Sequence, residues 1–106
     1  MDEGFRKVAR ADDIAPGTAR RVIVDGRPIA LINVGGTFYA LGDTCSHEEA
    51  SLSDGEVIED EDSIMCPLHG SEFSVKTGKA LTLPATQPVP TYEVRTEGDD
   101  VLVRAG

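Results

Sequence analysis

Cys45-Ser46-His47 and Cys66-Pro67-Leu68-His69, separated by residues 48–65, decide how the rest of this chain is read. They hold every cysteine and every histidine of the 106 residues, two of each. Each group pairs one thiol with one imidazole in a short stretch bounded by turn-forming residues. Two loop tips of this kind can close on one metal centre. A disulfide between Cys45 and Cys66 is the simplest alternative, but it needs an oxidising compartment. Tetrahedral zinc is the second; zinc fingers usually group their two cysteines and set their two histidines together, often on a helix. Here the pairs are mixed, C-x-H then C-x-x-H, and nothing near His69 predicts a helix. The mixed set suits an iron–sulfur cluster in which imidazoles replace two of the four thiolates on one iron. The exchange changes the charge: two ferric ions, two sulfides and two thiolates sum to zero. A neutral cluster accepts an electron more readily than one carrying four thiolates.

Composition fits one compact domain with a modest core: 40% of residues are hydrophobic and only 5% aromatic, with no Trp. The longest apolar run, Ile29 to Ile32, is far short of a membrane span. The start, MDEGFRKVAR, lacks a basic stretch followed by an apolar one, so no export signal is read and a cytoplasmic protein is expected. A net charge of −9 argues against nucleic acid and against anionic membrane surfaces as partners. That charge is concentrated. Asp43, Glu48, Glu49, Asp54, Glu56, Glu59, Asp60, Glu61 and Asp62 fall within residues 43–62, which contain no Lys or Arg. The remaining acids are matched by the ten basic residues.

The pattern predicts a mostly β protein. Arg21 to Val24 runs into Asp25-Gly26, a strong two-residue hairpin signal, and on through Pro28 to the apolar strand Ile29 to Val34. Gly35-Gly36 turns the chain into Thr37 to Leu41. Thr91 to Arg95 alternates, turns at Glu97-Gly98-Asp99 and returns through Val101 to Val103. Ala11 to Ala15, ended by Pro16-Gly17, predicts one short helical turn. Residues 43–88 differ from these flanks: they are rich in Gly, Ser and acids and have few strand-length apolar runs. The expected organisation is a single domain, 1–106, with base β-sheets over about 1–42 and 89–106 and a small inserted subdomain over about 43–88. The run Glu59 to Asp62 reads as a solvated turn.

At Cys45-Ser46-His47 and Cys66-Pro67-Leu68-His69 the sequence resembles the Rieske family, whose signature is C-x-H, a spacer, then C-x-x-H. Cys66 to Ser71 looks like the family's second cluster loop, with a strand beginning near Phe73. Leu81 to Pro84 resembles the proline-containing loop that covers the cluster. The hairpins at Asp25-Gly26 and Gly35-Gly36 are similar to the base sheets. The resemblance implies an all-β, Rieske-like antiparallel β-sandwich with a small inserted cluster-binding subdomain. It implies one [2Fe–2S] cluster per chain, with Cys45 and Cys66 on one iron and His47 and His69 on the other. Ser71 and Pro84 join them as cofactor-binding residues.

Departures from the pattern narrow the class. Rieske subunits of cytochrome complexes carry an extra cysteine in each loop, where this chain has Ala50 and Leu68. They also place a serine and a tyrosine beside the cluster; Ser71 matches the former, but Phe73 stands at the tyrosine. The spacer between His47 and Cys66 is slightly long, with the surplus at Glu59 to Asp62. The chain is thus similar to ferredoxin components of bacterial aromatic-ring-hydroxylating dioxygenase systems. Their implied partners are a flavoprotein ferredoxin reductase that draws on NAD(P)H and a terminal Rieske oxygenase. The role is that of an electron carrier without catalysis of its own. The competing readings are a small Rieske-like subunit of a nitrite reductase or other oxidoreductase complex, and a structural zinc-binding interaction module.

Overall fold

The structure, a computed structural model, describes residues 4–44, 50–67, 70–83 and 87–104. Among them nine strands form: β1 (Phe5–Arg10), β2 (Thr18–Val24), β3 (Arg27–Val34), β4 (Thr37–Gly42), β5 (Glu56–Ile58), β6 (Ser63–Met65), β7 (Glu72–Ser74), β8 (Thr91–Glu97) and β9 (Asp100–Arg104). The hairpin between β2 and β3 closes because Asp25 and Gly26 both take positive φ, 50° and 82°. This turn has the twist that its flanking strands need. The β2–β3 register runs unbroken from Thr18↔Asn33 to Val24↔Arg27.

Six strands make the larger sheet, in the order β1-β9-β8-β4-β3-β2, and all neighbours are antiparallel. Two three-stranded halves meet at a narrow seam, where β4 and β8 pair only through Ala40↔Tyr92 and Leu41↔Thr91. The sheet curls until its edge strands β1 and β2 face each other, and Arg6 reaches Asp25 across the gap at 3.5 Å. The remaining strands form a second sheet, β5-β6-β7. The all-β, antiparallel architecture with a small inserted unit expected from the sequence is the one found among the described residues.

β3 explains why the longest apolar run lies where it does. Its successive side chains point to opposite faces, and both faces are covered. Ile29 and Leu31 pack inside the curled sheet with Val22, Val24, Ala40, Val101 and Val103. Ala30 and Ile32 pack outward against Leu52, Ile64, Phe73 and Val75, which belong to the segment between β4 and β8. A strand buried on both sides cannot afford polar alternation. Residues 29–32 are accordingly all fully buried.

Two parts of the fold were not expected. β1 lacks clean alternation because the β1–β9 register shifts between Lys7 and Ala9, a bulge that resets which side chains face inward. β5 and β6 have three residues each, too short to stand out in a sequence; β7 is equally short and is the strand expected near Phe73. The expected helical turn is present as Ala11–Asp13. The acidic run forms the exposed loop of the β5–β6 hairpin, with Asp62 in the left-handed region and its carboxylate 3.3 Å from Lys76.

Candidate metal centre

The second candidate loop is the connection between β6 and β7. Its stems pair at Met65↔Glu72, and its base is closed by the Cys66 N–H donating to the Ser71 carbonyl at 2.7 Å. Inside it, the Gly70 N–H donates to the Cys66 carbonyl at 3.0 Å. That tight return needs φ of +72° at Gly70, a region a side chain rarely adopts. Cys66 is a free thiol at 1% exposure, and Ser71 is fully buried. His69 lies outside the described residues.

The first loop leaves the sheet directly after β4. Its stems meet at an isolated bridge, Thr44↔Ser51, so residues 45–50 span it. Cys45 and His47 lie outside the described residues. The stems themselves are well defined, and one side chain organises them. Asp43, at 3% exposure, is the one buried charged residue among those described. Its carboxylate accepts from the Ser51 hydroxyl and, at 2.9 Å, from the Ser53 N–H. Arg21 Nε stands 3.5 Å away on β2. The Asp43 N–H donates to the Pro28 carbonyl at 3.1 Å, and its carbonyl accepts from the Leu52 N–H at 2.6 Å. Sequence reading counted Asp43 as one acid of a charged stretch and missed this role. The available signal was its position between a strand end and Cys45, with Ser51 and Ser53 shortly after.

The bases of the two loops share one core: Ala50 and Leu52 from the first lie in the same apolar cluster as Cys66, Ile64 and Phe73 from the second. Phe73 is fully buried there. The third segment, around Leu81 to Pro84, is tied to β7: Leu81 N–H donates to the Glu72 carbonyl at 2.7 Å, and Thr82 Oγ1 accepts from the Glu72 N–H at 2.8 Å. Leu81 and Leu83 are left 48% and 77% exposed. Pro84 lies outside the described residues. Among the described residues no three His, Cys, Asp or Glu side chains gather as a metal site; of the four candidate ligands, only Cys66 is described.

A Rieske [2Fe-2S] domain profile matches residues 4–93. The chain belongs to the Rieske family. Membership brings one [2Fe–2S] cluster per chain. The donor chemistry fits: Cys66 offers a thiol in a closed, nearly dry loop end, where a thiolate paired with iron is favoured over one facing water. Within the family the chain resembles small ferredoxins. It is 52% identical over 92 residues to the 3-phenylpropionate/cinnamic acid dioxygenase ferredoxin subunit of Escherichia coli strain K12, covering 86% of this chain and 84% of that one. The ferredoxin of carbazole 1,9a-dioxygenase from Nocardioides aromaticivorans IC177 superimposes with a TM-score of 0.92 at 36% identity, covering 94% and 96% of the two chains. A ferredoxin solved in complex with the oxygenase of carbazole 1,9a-dioxygenase is 42% identical, with a TM-score of 0.87 and coverages of 95% and 93%. This chain is therefore a Rieske-type ferredoxin, an electron carrier and not the oxygenase that performs the chemistry.

Proposed function

We propose that Cys45 and Cys66 bind one iron of the cluster and His47 and His69 the other, and that this ferredoxin carries single electrons from a flavin-dependent NAD(P)H reductase to a terminal Rieske oxygenase. The observation that carries the reading is Cys66: a buried free thiol, held at the mouth of a loop whose backbone closes on itself, with its partner loop rooted in the same apolar core. When bound, the cluster supplies one-electron chemistry at a potential within the Rieske range of about −150 to +300 mV. The chain's residues would hold it, with the buried Cys66 keeping water from the iron it binds. In this reading Ser71, buried just before β7, would orient the loop beside the sulfurs, and Pro84, which lies outside the described residues, would cover the centre. Leu81 and Leu83, exposed beside Pro84, give partners an apolar surface at the same end. The carrier works in the cytoplasm. In domain terms, 1–106 is one Rieske domain with the cluster held by 43–88.

The test is direct. Anaerobically purified protein should contain about two irons and two acid-labile sulfides per chain and show a rhombic EPR signal when reduced. Stoichiometric zinc in place of iron, in protein reconstituted with iron and sulfide, would remove the assignment and favour the zinc module. His47→Cys and His69→Cys each add a thiolate charge, so each should shift or abolish the signal. Unchanged spectra would strike that residue from the ligand set. Purification as a fixed complex with a large oxidoreductase would instead favour the nitrite-reductase-type subunit.

A further inference from the structure

The Asp43 carboxylate holds both ends of the segment that bears Cys45 and His47. It is part of the ingoing stem and receives hydrogen bonds from Ser51 and Ser53 on the outgoing one. Ser51 and Ser53 are themselves linked, Oγ to Oγ, at 2.8 Å. Such a carboxylate is costly to bury unless its oxygens are satisfied. Here each oxygen has a hydrogen-bond partner, and Arg21 opposes the charge from a side chain that is itself 59% exposed. Neighbouring exposed acids could supply charge alone without any of this. Two residues of chain reach at most about 7 Å, so the Asp43 backbone cannot be farther than that from Cys45.

We propose that Asp43 is a positioning residue for the cluster: it clamps the stems of the loop carrying Cys45 and His47, and its negative charge, opposed by Arg21, sets the reduction potential lower than a neutral residue would. The inference rests on Cys45 and His47 being ligands. Two effects follow, and they separate. Loss of the clamp loosens the loop, so the cluster escapes faster. Loss of the charge leaves the loop in place but makes it easier to add an electron, because reduction adds negative charge nearby.

The experiment uses the intact holoprotein, whose rhombic EPR signal and iron content are established first. Absence of that signal in wild type would be a failure of the ligand reading and not of this one. Asp43→Asn keeps a carbonyl oxygen for the Ser53 N–H and should retain the cluster with an unaltered EPR line shape and a raised midpoint potential. Arg21→Gln should lower the potential, and the double variant should return toward wild type. Asp43→Ala and the milder Ser51→Ala should release iron to a chelator faster, by roughly 10-fold or more for the alanine at 43. A purely structural Asp43 would leave the Asn and Gln potentials in place. If those potentials do not move, or if Ser51→Ala, which keeps the carboxylate, and Asp43→Asn both hold iron while the Asn variant's potential falls, the proposal is overturned. Should Asp43→Ala not fold, the Asn, Gln and Ser51 variants decide it alone.

Discussion

Gly55→Ala should damage this protein more than any other glycine-to-alanine change at a residue with ordinary backbone angles. Gly55 ends the turn Leu52–Asp54, its N–H donating to the Leu52 carbonyl at 2.9 Å. Its φ of −86° is open to any residue, so the demand for glycine is purely steric. A Cβ at this position would stand 1.8 Å from the Met65 carbonyl oxygen, 3.0 Å from its carbon and 3.2 Å from the Leu52 carbonyl oxygen. Restoring normal contact requires the two backbones to part by roughly 1.5 Å. Met65 sits in β6, paired to Glu56 and Glu72, and is followed directly by Cys66. Overpacking of this kind costs about 1–3 kcal/mol, and strained hydrogen bonds at either side of Met65 add about 1 kcal/mol each. The sum is about 3–5 kcal/mol, and its lower end already corresponds to a fall in Tm of about 12 °C for a domain of this size. Gly26→Ala is the control: its φ is +82°, but nothing lies within 4 Å of the new methyl, so only the backbone penalty of about 1–2 kcal/mol applies. Thermal unfolding of both variants, read with iron content, decides the matter. A Gly55→Ala protein no less stable than Gly26→Ala would refute the contact, and one that is destabilised yet spectrally unchanged would refute its coupling to Cys66.

Asn33→Ala removes a buried hydrogen bond from Nδ2 to the Ile14 carbonyl at 2.7 Å and a part-buried one from the Gly36 N–H to Oδ1 at 2.8 Å; urea unfolding should show a loss of about 2–3 kcal/mol. Leu83→Asp should slow electron transfer to the oxygenase in rapid-mixing kinetics while leaving the midpoint potential unchanged, since the side chain is 77% exposed; equal rates would place docking elsewhere. Glu48→Gln with Glu49→Gln removes two of the nine acids in residues 43–62 and should slow association at low salt and flatten the dependence of rate on ionic strength, because charge steering between proteins is screened beyond about 8 Å at physiological salt. Rates indifferent to salt and to both changes would assign docking to apolar contacts instead.

How much of this was legible in the sequence depends on the range of each signal. The β2–β3 and β3–β4 hairpins were readable because Asp25-Gly26 and Gly35-Gly36 state their turn chemistry locally. The proposed cluster ligands stand out in the sequence because two Cys–His pairs exhaust the chain's supply of both residues. β5 and β6 were not readable, since three-residue strands take their stability from the core beneath them and leave no periodicity of their own; β7, no longer, was expected only through the motif that precedes it. Phe73 was read by its place in a motif, and its full burial shows that it also closes the core of the insert. Asp43 was hidden most completely. In a run of acids its composition says solvent, and only the register of Ser51 and Ser53 against the end of β4 says otherwise.

That placement has a consequence for how an electron carrier can be built from so little chain. A redox centre works best when its ligands stay put as charge changes, yet a sheet of three three-residue strands is marginal by itself. The structure supplies rigidity from two directions. Below, the apolar face of the insert rests on Ala30, Ile32 and Leu41, so the outer side of β3 and β4 acts as a floor that the curled sheet keeps in shape from its other side. Sideways, a line of polar and steric contacts runs from Arg21 to Asp43, through Ser51 and Ser53 to the turn at Leu52–Asp54, and from Gly55 against Met65 to Cys66. The first loop is thereby braced against the second through backbone and through the buried Asp43 with the part-buried Ser51 and Ser53. The exposed carboxylates of Asp54, Glu56 and Glu59 to Glu61 add no contact to that line and face outward. Asp43, alone of the described acids in residues 43–62, is spent on holding the loops.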